Sequence, residues 1–286
     1  MAYPTVSAPY GFKPINLIGG QVFAGATRTL PIAYGYNTSI FYGDPVYQTG
    51  GFTTRTTLSS NAFASGQIPM GIFLGCTYTN PATKQKLFAQ YWPAGTLAGD
   101  AQAIITEDPD TIFRMAVVSS GTTIASAAPA VVGYNMLLVD NTGSTATGNS
   151  ATGVLGLTAS PATTAGNPVR IVDVARDTAY SYGGIGSSST TAITLTTGVN
   201  GPVLAGAGVS YVTAGGILVD TGRFVTGAIA TGGTSATLNA TPSIPNAGTA
   251  ITAIPAGSQI VFTNYQEVLV KINFAQHMYY VAAANA

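Results

Sequence analysis

The stretch "AQAIITEDPDTIFRMAVV", residues 101–118, decides how this chain is read. Two apolar, β-branched runs flank Glu107, Asp108, Pro109 and Asp110, and these four positions hold three of the chain's ten acids. Such runs around an Asp-Pro pair signal strand, turn and strand, and the two runs are expected to pair with each other. The acids raise a competing reading, a metal site or a general acid/base pair. Calcium loops alternate their oxygens and place Gly where the backbone turns. Here Pro109 stiffens the turn and hydrophobic residues follow at once. A glycosidase carboxylate pair works in a cleft usually lined by aromatics. The lone Trp92, beside Pro93, reads more simply as core or interface packing. The cluster is therefore expected to be a solvated corner: Asp108-Pro109 opens it, Asp110 bonds nearby amides, and Thr111 starts a strand running to Val118. Arg114, on that strand, is a candidate to pair with a neighbouring acid, within the chain or across a subunit boundary.

The remaining sequence follows the same grammar. "PINLIGGQVFAG" breaks at Gly19-Gly20, and "NTSIFYGDPVYQ" pivots on Gly43-Asp44-Pro45. "PMGIFLGCTY" and "QKLFAQYWPAG" form a hairpin through "TNPATKQ", where Asn80-Pro81 initiates the turn. After Ser119 a short helix is expected beside Pro129, and "DNTGSTATGNSATG" (140–153) reads by composition as a polar, flexible loop. "NPVRIVDVARDTAY" restores a strand, with Arg170, Asp173, Arg176 and Asp177 as a local charge group. Between residues 184 and 258 the only charges are Asp220 and Arg223. Inside that segment, 190–212 and 234–262 share a rhythm of Thr-rich strand, Gly/Pro turn, Ala-Gly corner and apolar strand. The expected fold is mainly all-β. An extended arm (1–14) leads into a β-barrel or sandwich-like domain (15–183 and 259–286), interrupted by a small Gly/Thr-rich β domain (184–258).

Composition bounds the function. Charged residues are 7% of the chain and the net charge is zero, against about 25% charged in ordinary globular proteins. So little charge suits an assembly that hides much of its surface. The basic residues are scattered, only Lys84 and Lys86 lying close together, so no basic stripe for nucleic acid is present. The longest apolar stretch, 127–139, is too short and broken to span a bilayer. "MAYPTVSAPYGF" has neither the basic nor the apolar region of a secretory signal. Cys76, the only cysteine, reads as a buried strand residue, and His277, the only histidine, as a strand or interface residue rather than a base. One of each cannot close a zinc site. No nucleophile elbow and no phosphate-binding loop occurs. No catalytic residue, cofactor or metal is expected.

Three stretches in order, "GFKPINLIGGQVFAGATRTLPIAYGYNTSIFYGDPV", "PMGIFLGCTYTNPATKQKLFAQYWPAGT" and "AIITEDPDTIFRMAV", resemble virion structural proteins of tailed bacteriophages. The likeness is greatest to head proteins that decorate or cement the capsid. It covers residues 11–118, and more faintly 165–182 and 259–282. The resemblance implies a β-rich homotrimer made in the host cytoplasm and bound to the major capsid protein on the outer capsid surface. It carries no active site, nucleic acid or membrane with it. "MAYPTVSAPYGFKP" is expected to be a strap lying along a neighbour, so Tyr3, Pro4, Tyr10 and Phe12 join Arg114 as candidate contacts. A tail, fibre or shell subunit is the alternative, and a tail-associated glycan hydrolase a third.

Overall fold

A computed structural model describes residues 6, 8–118, 121–122, 131–156, 166–175, 181–188, 191–199, 203–212, 218–242, 244–246, 249–251, 253–263 and 265–280. Tyr3, Pro4, Arg176, Asp177 and the segment around Pro129 lie outside them. The chain is almost entirely β, arranged as three principal sheets.

The first sheet orders its strands Arg28–Pro31, Gln102–Thr106, Gly71–Thr79, Pro45–Thr49 and Phe52–Arg55. Lys86–Ala89 also pairs with Gly71–Thr79, which is the hairpin expected from "TNPATKQ". Gly71–Thr79 is buried along most of its length, and a bulge resets which of its side chains enter which core. Its pairing with Gln102–Thr106 shifts register between Phe73 and Gly75, where Gly75 takes φ 142°. The extra residue switches the side-chain parity. Ile72 and Leu74 then face one core, while Phe73, Cys76 and Tyr78 face another. Trp92 is fully buried in the latter core, edge-on to Tyr78 at 5.3 Å, with its indole N–H donating to the Tyr36 carbonyl.

The second sheet centres on Thr111–Val118. Glu267–Ile272 lies antiparallel along one side and is followed by Val169–Ala175 and Asn135–Met136. On the other side Lys13–Leu17 pairs with the start of the strand, and Gly153–Leu155 runs parallel to its end. Phe113, Met115 and Val117 enter the core shared with Ile72, whereas Ala116 and Val118 pack with Val139, Leu155 and Tyr265. The expected pairing of the two runs in 101–118 is therefore wrong. Gln102–Thr106 is flanked by two strands of the first sheet and Thr111–Val118 by strands of the second, so neither has an edge for the other. The acidic corner is a crossing between sheets.

The third sheet, Leu218–Phe224, Gly208–Val212, Gln259–Thr263, Ser181–Ser188, Ala192–Leu195 and Ser235–Thr237, has its own apolar core. A bridge from Val225 to Leu238 joins its first and last strands into a nearly closed barrel. Gln259–Thr263 and all of Ser181–Ser188 belong here, which corrects the expected boundaries at 184 and 258. The repeated rhythm corresponds to an internal two-fold arrangement. Ile193 lies opposite Ala236, and Ser210 opposite Val261, the same places in the two copies. Around the second pair, Val209 faces Phe262 and Tyr211 faces Ile260. The backbone bonds Leu195 N–H to Thr234 and Leu238 N–H to Thr191 repeat the relation. Each copy also includes the strand before it, since the pair Ile185–Leu195 corresponds to the bridge Val225–Leu238.

Phe12, expected as a contact on an extended arm, is fully buried and edge-on to Phe113 at 5.4 Å. Its ring belongs to the core that also holds Ile72, Phe113 and Met115. Phe12→Ala is expected to cost about 3–5 kcal/mol in denaturant unfolding. Unchanged stability would mean that the aromatic is a surface contact after all.

Candidate functional site

Three polar constellations are built where segments distant in sequence meet. The first surrounds Asp44. Its carboxylate is fully buried and accepts from the Phe41 amide (2.9 Å), the Ser150 hydroxyl (2.6 Å) and Arg55 Nε (2.9 Å). Arg55 then reaches Asp140 with its terminal nitrogens. Burial pushes the Asp44 carboxyl up from the usual range, against the pull of Arg55 and the two other donors. The Asp44 and Asp140 carboxylates raise Arg55 despite its own burial, so it stays a cation. This arrangement corrects the reading of 140–153 as a flexible loop. Ser150 and Thr152 are buried, Asn149 bridges to Tyr42, and Thr152 accepts from the Gly11 amide. The Ser150 hydroxyl and the Asn141 amide serve as internal partners, while Ser144 to Thr147 at the tip of the segment remain exposed. Gly11 and Gly43 allow the approach: a Cβ on Gly11 would sit 2.6 Å from the Gly43 carbonyl, and both residues have positive φ.

The second constellation joins two predicted contact residues. Tyr10 donates to Glu267, whose other oxygen lies 3.4 Å from Arg114 Nη1. Glu267 is buried, with Arg114 partly exposed beside it. Burial first, and then the Glu267 carboxylate, hold the Tyr10 hydroxyl far above its ordinary range, so it remains a donor. Arg114 thus pairs with a neighbouring acid, and that acid belongs to its own chain. Pro9 to Phe12 are docked rather than strap-like. The clasp lines a cavity of about 730 Å³ with Lys13, Asn149 and Tyr265.

The third is the acidic corner itself, where each acid has a different partner. Glu107 binds Arg28 Nε at 3.0 Å and accepts from the Tyr279 hydroxyl at 2.7 Å. Asp108 accepts from the Asp110 amide at 2.8 Å, and Asp110 binds Lys271. Asp108 makes the turn as expected, and the role expected of Asp110 is corrected: its carboxylate reaches Lys271 of the second sheet rather than a nearby amide. His277 lies behind this corner, not on a strand. It follows a short 3-10 turn, Phe274–Gln276, is 1% exposed and packs against Tyr279 and Tyr280. Burial lowers its pKa to about 4, although Asp108 and Glu107 pull the other way. Cys76 sits in its strand as expected, buried, with its thiol pushed up to about 12 by the apolar surroundings.

Sequence reasoning found the acids, Tyr10 and Arg114 by their rarity or position, and missed Glu267, Arg55 and Ser150. A buried charge pair leaves little local signature, although Asp44 between Gly43 and Pro45 marked one side of it. Among the described residues no group of three or more His, Cys, Asp or Glu could hold a metal ion, and no helix is long and apolar enough to cross a membrane. No protein-family model, curated protein or solved structure matches the chain.

Two outcomes follow from this geometry. Asp44→Ala leaves the Arg55 cation and the Ser150 hydroxyl without their buried acceptor, and is expected to cost about 3–5 kcal/mol in denaturant unfolding. Asp140→Ala, at the wetter end, should cost about 1 kcal/mol or less. His277 stays neutral in the folded state down to about pH 4, while the unfolded chain takes the proton near 6.5. Stability should therefore fall as pH drops through that window, by roughly 3 kcal/mol in all. Denaturation of His277→Gln across the same window should show a smaller slope; an equal slope would remove His277 from the account.

Proposed function

We propose that this chain is a structural protein of a tailed-phage head, which decorates the outer capsid surface and bridges neighbouring shell subunits as a homotrimer. The observation that carries the reading is the conjunction of very little charge with large apolar side chains held in the open. Phe88 is 81% exposed and Val22 78%. Phe88 stands on the short strand Lys86–Ala89, which pairs on one side with Gly71–Thr79. Tyr34 and Leu97 are exposed on neighbouring turns tied together by the bond from the Gly35 amide to the Thr96 carbonyl. A chain with 7% charged residues and such side chains gains by covering them against other subunits. The resemblance of residues 11–118 to capsid decoration proteins points the same way.

The mechanism is mechanical. A rigid β scaffold placed across shell subunits adds contact area to the assembled state alone, and so shifts the equilibrium away from disassembly. The contact candidates move from the docked residues Tyr10, Phe12 and Arg114 to Phe88, Tyr34, Leu97 and Val22. Residues 1–5, with Tyr3 and Pro4, remain candidates for a strap.

Cosedimentation of the purified protein with capsids of the encoding phage, stripped of this protein, tests the reading. Saturable binding is expected, weakened about tenfold or more by Phe88→Asp with circular dichroism unchanged. Removing residues 1–5 separates the strap from the body as the binding element. Failure of the wild-type chain to bind any capsid form would overturn the proposal.

A further inference from the structure

A cavity of about 460 Å³ opens where the second sheet meets the Phe274–Gln276 turn, within the size range of small-ligand pockets. Its floor is a cross-strand row. Asn135 pairs with Arg170, and Arg170 pairs with Lys271. Two cations directly opposite on neighbouring strands repel, and a sheet normally avoids the arrangement. One of the two is neutralised within the chain: Lys271 binds Asp110 and lies 4.2 Å above the Phe274 ring. Arg170 has no acidic partner among the described residues. Its Nε donates to Asn135 Oδ1 at 3.1 Å, a bond that fixes the plane of the guanidinium. A guanidinium carries five N–H donors, so four remain on its terminal nitrogens.

The surroundings of this cation are fixed and partly apolar. Asn135 is 3% exposed, and Asn273 donates from its side chain to the Asn167 carbonyl at 2.6 Å. Ile18, Val172, Ile272 and Phe274 supply apolar walls. Phe274 and Ile18 are about half exposed, forming an open apolar rim.

We propose that this cavity binds a carboxylate carried on an apolar or aromatic body. The carboxylate sits in the Arg170 fork in bidentate geometry, and the body lies against Phe274 and Ile18. Arg forks match planar carboxylates, and Arg170, itself exposed, offers its fork at the mouth of the cavity beside the apolar rim. The Asp110–Lys271 pair sets the polarity of the site. With Lys271 already satisfied, one negative charge neutralises the pocket and a second would meet Asp110.

Phenylacetate is the probe, with phenylacetamide as its isosteric neutral control, followed by NMR of the Arg170 Nε–H and by calorimetry. Phenylacetate is expected to bind about tenfold or more tightly than the amide, and to lose that advantage in Arg170→Gln. Arg170→Lys should recover only part of it, since the charge remains and the fork does not. Asp110→Ala releases Lys271 and should tighten binding of the acid, a gain that a merely misfolded pocket could not produce. A second arm uses a blocked peptide with one Asp beside Phe. Tighter binding of the peptide assigns the site to an acidic segment of a partner, and tighter binding of the free acid to a small ligand. Equal binding of acid and amide, binding unaffected by Arg170→Gln, or no binding of either probe at millimolar concentration would overturn the proposal.

Discussion

A carboxylate held wholly out of water must be satisfied by the protein, and Asp44 imposes that requirement on this chain. Removing an ion from water costs several kcal/mol even after relaxation. The cost is offset only because the Phe41 amide, Arg55 and Ser150 converge on it. Each donor belongs to a different part of the chain. Phe41 precedes the Gly43-Asp44-Pro45 pivot, Arg55 ends a strand of the first sheet, and Ser150 lies in the polar stretch that leads to the second. Gly43, next to Asp44, also accepts from the Phe12 amide and so seats the beginning of the chain. One charge therefore ties together the first sheet, the 140–152 segment and the docked N-terminal residues.

How much of this was legible in the sequence depends on how local each signal is. The hairpin through "TNPATKQ" and the doubled rhythm of the third sheet could be read because turn formers and strand rhythm are written in neighbouring residues. The supposed hairpin of 101–118 could not. Asp108 and Pro109 announce a turn, but which strands pair is decided by what covers their edges, here Gly71–Thr79 and Glu267–Ile272 from elsewhere in the chain. Composition misled in 140–153 for a related reason. Ser, Thr and Asn look the same in sequence whether they face water or a buried carboxylate. The boundary of the inserted barrel was misplaced because Gln259–Thr263 and Glu267–Ile272 are both apolar strands, separated by a short link that carries no charge or proline signal before Glu267.

The site shows the same division. Rarity of charge made the acidic corner, Arg114 and His277 stand out, but rarity says nothing about partners. Glu267, which binds both Tyr10 and Arg114, comes from the far end of the chain. The three acids of the corner serve a cation of the first sheet, the turn itself and a cation of the second sheet. They hold the crossing between sheets in place. Nearly every rare charge near this crossing is committed to holding segments together, while large apolar side chains such as Phe88 and Val22 stand exposed. Arg170, opposite Lys271 on the neighbouring strand, bonds Asn135 instead of an acid.

Hydrogen exchange of individual backbone amides tests the central claim, that Asp44 makes the polar segment and the start of the chain into one packed unit. The amides of Gly11, Phe12, Tyr42 and Ser150 donate to Thr152, Gly43, Gly148 and Tyr42 respectively. The account predicts that all four are protected and open together with a common free energy, and that Asp44→Asn lowers their protection in concert while leaving the amides of the third sheet unchanged. Rapid exchange at Tyr42 and Ser150 in the wild-type chain, or loss of protection at only one of the four in the variant, would contradict it.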